Sequence, residues 1–181
     1  MSDTSSPVRL FFALWPPEAV REQLARLARK IADHCPGRPV RPENLHLTLA
    51  FLGETDRNMI PALRQAGSVI QNVSFDLLLD KLYCWGKGNI IAAGISQNSH
   101  ELAALAQELR NQLTAAGVRY DMVKFVPHVT LVRNAKCNHI SEIIRPVTWT
   151  ATHWSLVQSR LSQYGSVYQS LADWTLAPPD N

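Results

Sequence analysis

One pattern constrains this chain more than any other: a strand–helix–loop–strand order that occurs twice and ends each time in the same tetrapeptide signature. In the first copy, Val8 to Trp15 is an apolar run of strand formers between Pro7 and Pro16. Pro17 and Glu18 suit a helix first turn, and Val20, Leu24, Leu27, Ala28 and Ile31 recur at helical spacing, which predicts an amphipathic helix over 17–33. His34-Cys35-Pro36-Gly37-Arg38-Pro39 breaks it, and Leu45 to Leu52 reads as a strand ending at Gly53. In the second copy, Asn89 to Ser96 is the strand candidate, and Asn98 with Glu101 resembles a capping box. Leu102, Leu105, Ala106, Leu109 and Leu113 form the apolar stripe of a helix that Gly117 closes, and Val126 to Val132 reads as the final strand.

The second strands carry His46-Leu47-Thr48-Leu49 and His128-Val129-Thr130-Leu131. Strand start to histidine spans nearly equal lengths, Arg9 to His46 and Ile90 to His128, so an internal duplication over about 8–53 and 89–134 is the simplest account. Two copies of this length argue for two lobes facing each other rather than a stacked array. Between and after them, Pro61 to Val73 reads as a helix and Phe75 to Trp85 as a strand, with Gly86 and Gly88 in a turn. Trp149 to Leu161 and Val167 to Leu176 read as two strands joined around Tyr164-Gly165, and Ala177 to Asn181 as a frayed tail. The expected fold is α+β: one bilobal domain over 1–181, built of two pseudo-symmetric lobes. Each lobe is an antiparallel-rich sheet backed by helices, with a central cleft between them.

Strand side chains alternate with period two, so His46 and Thr48 share one face while Leu47 and Leu49 share the other. The same holds for His128 and Thr130 against Val129 and Leu131. The apolar pairs can bury beneath helices while the polar pairs point into the cleft. Two histidines suit an in-line displacement at phosphorus, which needs a base on one side and an acid on the other. Imidazole can serve either role near neutral pH. The threonine hydroxyls can donate to non-bridging phosphate oxygens.

Composition narrows the field. The 181 residues are 46% hydrophobic, enough for a sizeable core, and carry a net charge of +3. That mild basicity, without a long Lys/Arg run, fits a short or end-bound nucleic acid rather than extended duplex binding. Neither motif offers a third His, Asp or Glu at metal-ligand spacing, and no P-loop occurs. Neither a metal nor a cofactor is expected. Cys35, Cys84 and Cys137 match no zinc spacing and read as reduced thiols. Met1 to Pro7 lacks the regions of a signal peptide, and no apolar run approaches a membrane span, so a cytoplasmic, non-membrane protein is expected.

At its two motifs the sequence resembles the 2H phosphoesterase superfamily. Within that superfamily it resembles the RNA 2'-5' ligase family of bacterial RNA cyclic phosphodiesterases. Arg9 to Leu14 is similar to the family's opening strand, Asn44 to Gly53 to its first signature, and Phe125 to Leu131 with Arg133 to its second. The resemblance implies hydrolysis of an RNA 2',3'-cyclic phosphate to a 2'-phosphate, with His46 the proton donor to the leaving 3' oxygen and His128 the proton acceptor from water. Joining of such ends to 5'-hydroxyls is implied as a second activity. It also implies RNA with 2',3'-cyclic phosphate ends as partner, tRNA halves and small cyclic nucleotides among them, and a monomer.

Other residues divide between functional and structural readings. Strict alternation from His128 puts Arg133 on the opposite face, so it reaches a phosphate only where the strand ends or bulges first. Phe125 is a candidate for base stacking, against packing in the core. Phe11, Phe12 and Trp15 read as core. Trp85, Trp149, Trp154 and Trp174 carry no decisive signal. His34, His100, His139 and His153 read as structural or solvated. Arg21, Arg26, Arg29 and Lys30 read as a solvated helix face that can double as a basic rim. Three other functions stay open: a non-catalytic RNA-end or nucleotide-binding module, a related enzyme acting on a cyclic ADP-ribose phosphate or a 2'-5' oligoadenylate, and a metal hydrolase with the histidines as ligands.

Overall fold

A computed structural model describes residues 6–86, 89–97, 99–136, 143–163 and 165–179. Asn98, Cys137, His139 and Tyr164, and Gly88 with the first and last residues of the chain, lie outside the described residues.

Among the described residues the chain runs β1 (Val8–Leu14), α1 (Glu18–His34), β2 (Arg38–Pro39), β3 (Leu47–Thr55), α2 (Ile60–Ser68), β4 (Phe75–Trp85), β5 (Ile90–Gly94), α3 (His100–Ala115), β6 (His128–Arg133), β7 (Ile143–Ala151), β8 (His153–Ser162) and β9 (Gly165–Thr175). All strands join one nine-stranded sheet of order β7-β4-β5-β6-β3-β1-β8-β9, with β2 paired to β6 off that path. The pairings within it are antiparallel.

The sheet has a pseudo-two-fold centre. On one side β6, β5, β4 and β7 follow in order; on the other β3, β1, β8 and β9 do. The halves meet where β3 pairs β6, at the single register pair Leu47 with Val129. The two expected lobes are present, one for each half of the sheet, and they are joined edge to edge at this pair. The helices tie the halves together: α1, which follows β1, packs against β6 and β7, while α3, which follows β5, contacts β3 and α2.

Alternation divides each strand between two environments. Leu10, Phe12 and Leu14 enter the main core with Leu24 and Ala28 of α1, Leu105 and Leu109 of α3, and Leu47, Val129 and Leu131. On the opposite face Phe11, Ala13 and Val157 form a small separate cluster with Trp15, Phe51 and Tyr168. Trp149 and Trp154 are fully buried.

Several local expectations are corrected. Ser99, not Asn98, caps α3: its hydroxyl accepts from the Leu102 amide at 3.2 Å. The strand expected over 149–161 is two strands in different halves of the sheet, β7 against β4 and β8 against β1. β3 runs through Gly53, whose φ of +67° suits a glycine, to Thr55. Ala177 is held rather than frayed, accepting from the Ser74 amide and donating to the Asn72 carbonyl. Cys35 is disulfide-bonded rather than reduced; β2 carries the chain after α1 alongside β6, and Lys136 donates to the Pro36 carbonyl there.

Candidate active site

The junction of the two halves determines which side chains meet. Because Leu47 pairs with Val129, the same register sets His46 opposite Thr130 and Thr48 opposite His128. All four lie on the face away from the helices, and all four are half-buried. The two histidines are diagonal neighbours, a relation that separates the two positions by roughly 7–8 Å and their Cβ atoms by somewhat less.

Each ring is oriented by its own backbone. The Nδ1–H of His46 donates to the Asn44 carbonyl at 2.7 Å, and that of His128 to the Val126 carbonyl at 2.7 Å. A carbonyl can only accept, so both rings hold their hydrogen on Nδ1 and leave Nε2 for the ligand. The same two-residue offset in both copies follows from the same local chain path into each strand. Among the described residues, neither threonine hydroxyl makes a hydrogen bond, so both are available to an incoming oxyanion.

The rings are also wedged by aromatics. Phe11, Trp15 and Tyr168 surround His46 at centroid distances of 4.9, 5.3 and 5.2 Å. Trp85 stands edge-on to His128 at 4.6 Å and stacks on Tyr83 at 5.3 Å. Phe11 and Phe12 are both core, as expected, but in different clusters: the alternation of β1 sends Phe12 to the main core and Phe11 to the smaller one beside His46, against which the half-buried Trp15 packs. Nothing in the sequence marks Trp85 or Tyr168.

Arg133 reaches the site because β6 bulges. Ile91 and Ala92 are consecutive on β5, yet they pair with Val132 and Thr130, leaving Leu131 as the extra residue. The bulge inverts the alternation, so Leu131 and Val132 are both buried and Arg133 returns to the histidine face. β3 carries the same irregularity at the same place: Phe12 and Ala13 pair with Ala50 and Thr48, skipping Leu49. There the matching position is Phe51, beneath the Arg9 guanidinium at 5.0 Å from its ring. One half thus supplies an arginine where the other supplies an aromatic.

Phe125 is not brought into the site. It lies under the Arg110 guanidinium, 5.5 Å from the ring centroid, in a cavity shared with Leu102 and Ala106 of α3. It is half-buried against the main core and does not line the cavity beside His46, so the structure places it in packing. His34, His100 and His153 are exposed and away from the junction.

Electrostatics make the site a receptor for an anion. Burial holds the His46 imidazole down to about 4; the Asn44 carbonyl opposes this, and the positive charges of Arg133 and His128 add to it. His128 is lowered for the same reasons, burial first, with the Val126 carbonyl opposing and Arg133 adding. Removal from water and nearby cations both disfavour imidazolium, and an anion between the rings reverses the second effect. A cavity of about 160 Å³ opens beside His46 and Thr130, with Arg133, Arg38 and Arg41 in its wall. Among the described residues, no group of three or more His, Cys, Asp or Glu side chains is placed to share a metal ion. Among the described residues, no helix is long and apolar enough to cross a membrane.

The comparisons with known proteins agree with one another. The family model described as LigT like Phosphoesterase matches residues 14–92 and 94–168, one stretch for each copy of the duplication. The RNA 2',3'-cyclic phosphodiesterase of Escherichia coli (strain K12) is 35% identical over 95% of this chain and 98% of its own length. The crystal structure of E. coli LigT in apo form superposes with a TM-score of 0.84 at 34% identity, covering 96% of this chain and 99% of that one. E. coli LigT complexed with 3'-AMP gives 0.83 at 34% identity, over 95% and 99%.

Proposed function

The chain belongs to the LigT-like phosphoesterase family, and from that premise we propose that it opens RNA 2',3'-cyclic phosphate ends to 2'-phosphates by two-histidine acid–base catalysis. One observation carries the reading: both imidazoles donate Nδ1–H to a carbonyl at 2.7 Å, so both Nε2 atoms are free on one face of two strands paired at Leu47 and Val129.

In this mechanism Nε2 of His128 takes a proton from water, and the water oxygen attacks phosphorus. The bond to the 3' oxygen breaks on the opposite side, and His46, protonated on Nε2, gives that oxygen its proton. Thr48, Thr130 and Arg133 hold the non-bridging oxygens as charge grows on them. Solvent then returns a proton to His46 and removes one from His128. A ribose 5'-hydroxyl in place of water gives a 2'-5' linkage by the same displacement. No metal or cofactor takes part. All these groups come from one chain, so residues 1–181 act as one bilobal unit and a monomer suffices. The substrates are RNA ends of this chemistry, tRNA halves and small cyclic nucleotides among them, met in the cytoplasm.

An oligoribonucleotide ending in a 2',3'-cyclic phosphate, incubated with a chelator present, tests the reading. The expected product is the 2'-phosphate. A 3'-phosphate, or no turnover, contradicts it. His46→Ala and His128→Ala should each lower turnover about a hundredfold or more, the scale of general acid–base effects, with the melting temperature little changed. Near-normal turnover in either variant contradicts the roles.

A further inference from the structure

The cavity beside His46 extends beyond the groups that a cyclic phosphate itself uses. β2 pairs antiparallel with β6, and its Arg38 stands directly opposite Arg133. Residues directly opposite share a face, so both guanidiniums rise on the histidine side of the sheet. Like charges so placed repel, and among the described residues no carboxylate pairs with either. Arg41 lines the same cavity. Its guanidinium donates to the Ser166 carbonyl at 2.7 Å and meets Glu43 at 3.3 Å, and the Asn44 amide donates to the same carbonyl at 2.9 Å. The hairpin between β8 and β9 therefore closes the far wall and holds Arg41 in place. Among the described residues, no acidic side chain lines this cavity. Two arginines beyond the phosphate site, one unpaired and one pre-oriented, form a second place for a phosphate.

The proposed function, on which this inference rests, says which phosphate. The leaving 3' oxygen stays attached to the ribose, and His46 protonates it. The ribose therefore lies on the His46 flank, the side on which Arg38 and Arg41 stand. We propose that Arg38 and Arg41 form a subsite for the phosphate on the 5' oxygen of the terminal nucleotide, the linkage to the rest of the RNA. The site then prefers an RNA end over a mononucleotide.

The test compares a dinucleotide ending in a 2',3'-cyclic phosphate with the corresponding nucleoside 2',3'-cyclic monophosphate. The readout is the ratio of their kcat/KM values, in wild type and in Arg38→Gln and Arg41→Gln. The ratio should exceed one in wild type and fall about tenfold in the double variant, mainly through KM. The salt dependence of dinucleotide kcat/KM should weaken with each arginine lost, since fewer opposite charges remain to be screened. Replacing the internucleotide phosphate with an uncharged methylphosphonate should lower the wild-type ratio equally and cost the double variant nothing more, a cycle that needs no assumption about folding. A wild-type ratio near one, equal losses on both substrates, or a methylphosphonate effect that persists in the double variant would overturn the subsite. Failure of wild type to open either substrate would instead overturn the proposed function.

Discussion

At the scale of single residues, the fold lowers both imidazoles below the ordinary histidine value. With His46 held to about 4 by burial, by Arg133 and by His128, the free protein keeps this imidazole neutral at neutral pH. In the proposed mechanism His46 takes its proton from solvent when the substrate binds, because the substrate's negative charge stabilises imidazolium. Both limbs of the kcat profile should therefore lie at higher pH than those of kcat/KM, which reports the free protein. The kcat/KM bell should peak on the acid side of the ordinary histidine value of 6.5 and decline through neutrality, since His128 is lowered from it as well. Coincident profiles would contradict the electrostatic account. Stability follows the same linkage. An unfolded His46 titrates near 6.5 and the folded one near 4, so between these values the unfolded chain binds the proton that the folded chain excludes. The contribution is intact above 6.5 and is lost as pH falls toward 4, at up to about 1.4 kcal/mol per pH unit. In thermal melts, His46→Gln should lose less stability than wild type over that window; an unchanged acid loss would contradict the linkage.

At the scale of elements, β4 and β5 support β6 through a close approach. Gly94 pairs with His128, and a Cβ on it would fall inside the Tyr83 ring, which stacks on Trp85 at 5.3 Å. Gly94→Ala should cost about 1–3 kcal/mol by overpacking and lower kcat by displacing Trp85 from His128. Unchanged melting and turnover would show that this aromatic pair does not brace the ring. Much of the element pattern is legible in the sequence, because α1, α3 and β4 bury periodic stripes and β1 is a short apolar run buried on both faces. The bulges of β3 and β6 are harder to read. Their trace is a phase slip at the same offset in both copies, Leu49-Ala50 and Leu131-Val132, where two adjacent residues are buried. That slip returns Arg133 to the site, and alternation alone sends it the other way. β7 escapes a sequence reading because Pro146 interrupts it; it lies at the sheet edge, where a missing amide hydrogen is tolerated.

At the scale of the molecule, one half of the sheet is continuous in sequence, β4 to β7, while the other joins β1 and β3 to β8 and β9. The duplicated histidines and threonines are legible because each motif is local. The groups around His46 are not, because Tyr168 and Ser166 come from a hairpin more than a hundred residues away whose pairing with β1 is long-range. Ending the chain after Thr152 should therefore abolish cooperative unfolding, since β1 loses its β8 partner and the core loses Trp154 and Leu156. A two-state melt of that fragment would contradict the shared architecture. The proposed function requires one phosphorus to sit between Nε2 of His46 and Nε2 of His128. ¹⁵N NMR of the histidine side chains during titration with inorganic phosphate tests it most directly. Both Nε2 resonances should shift together to saturation at one equivalent, with both rings titrating at higher pH than in the free protein. A response confined to one ring, or two separate binding events, would contradict it.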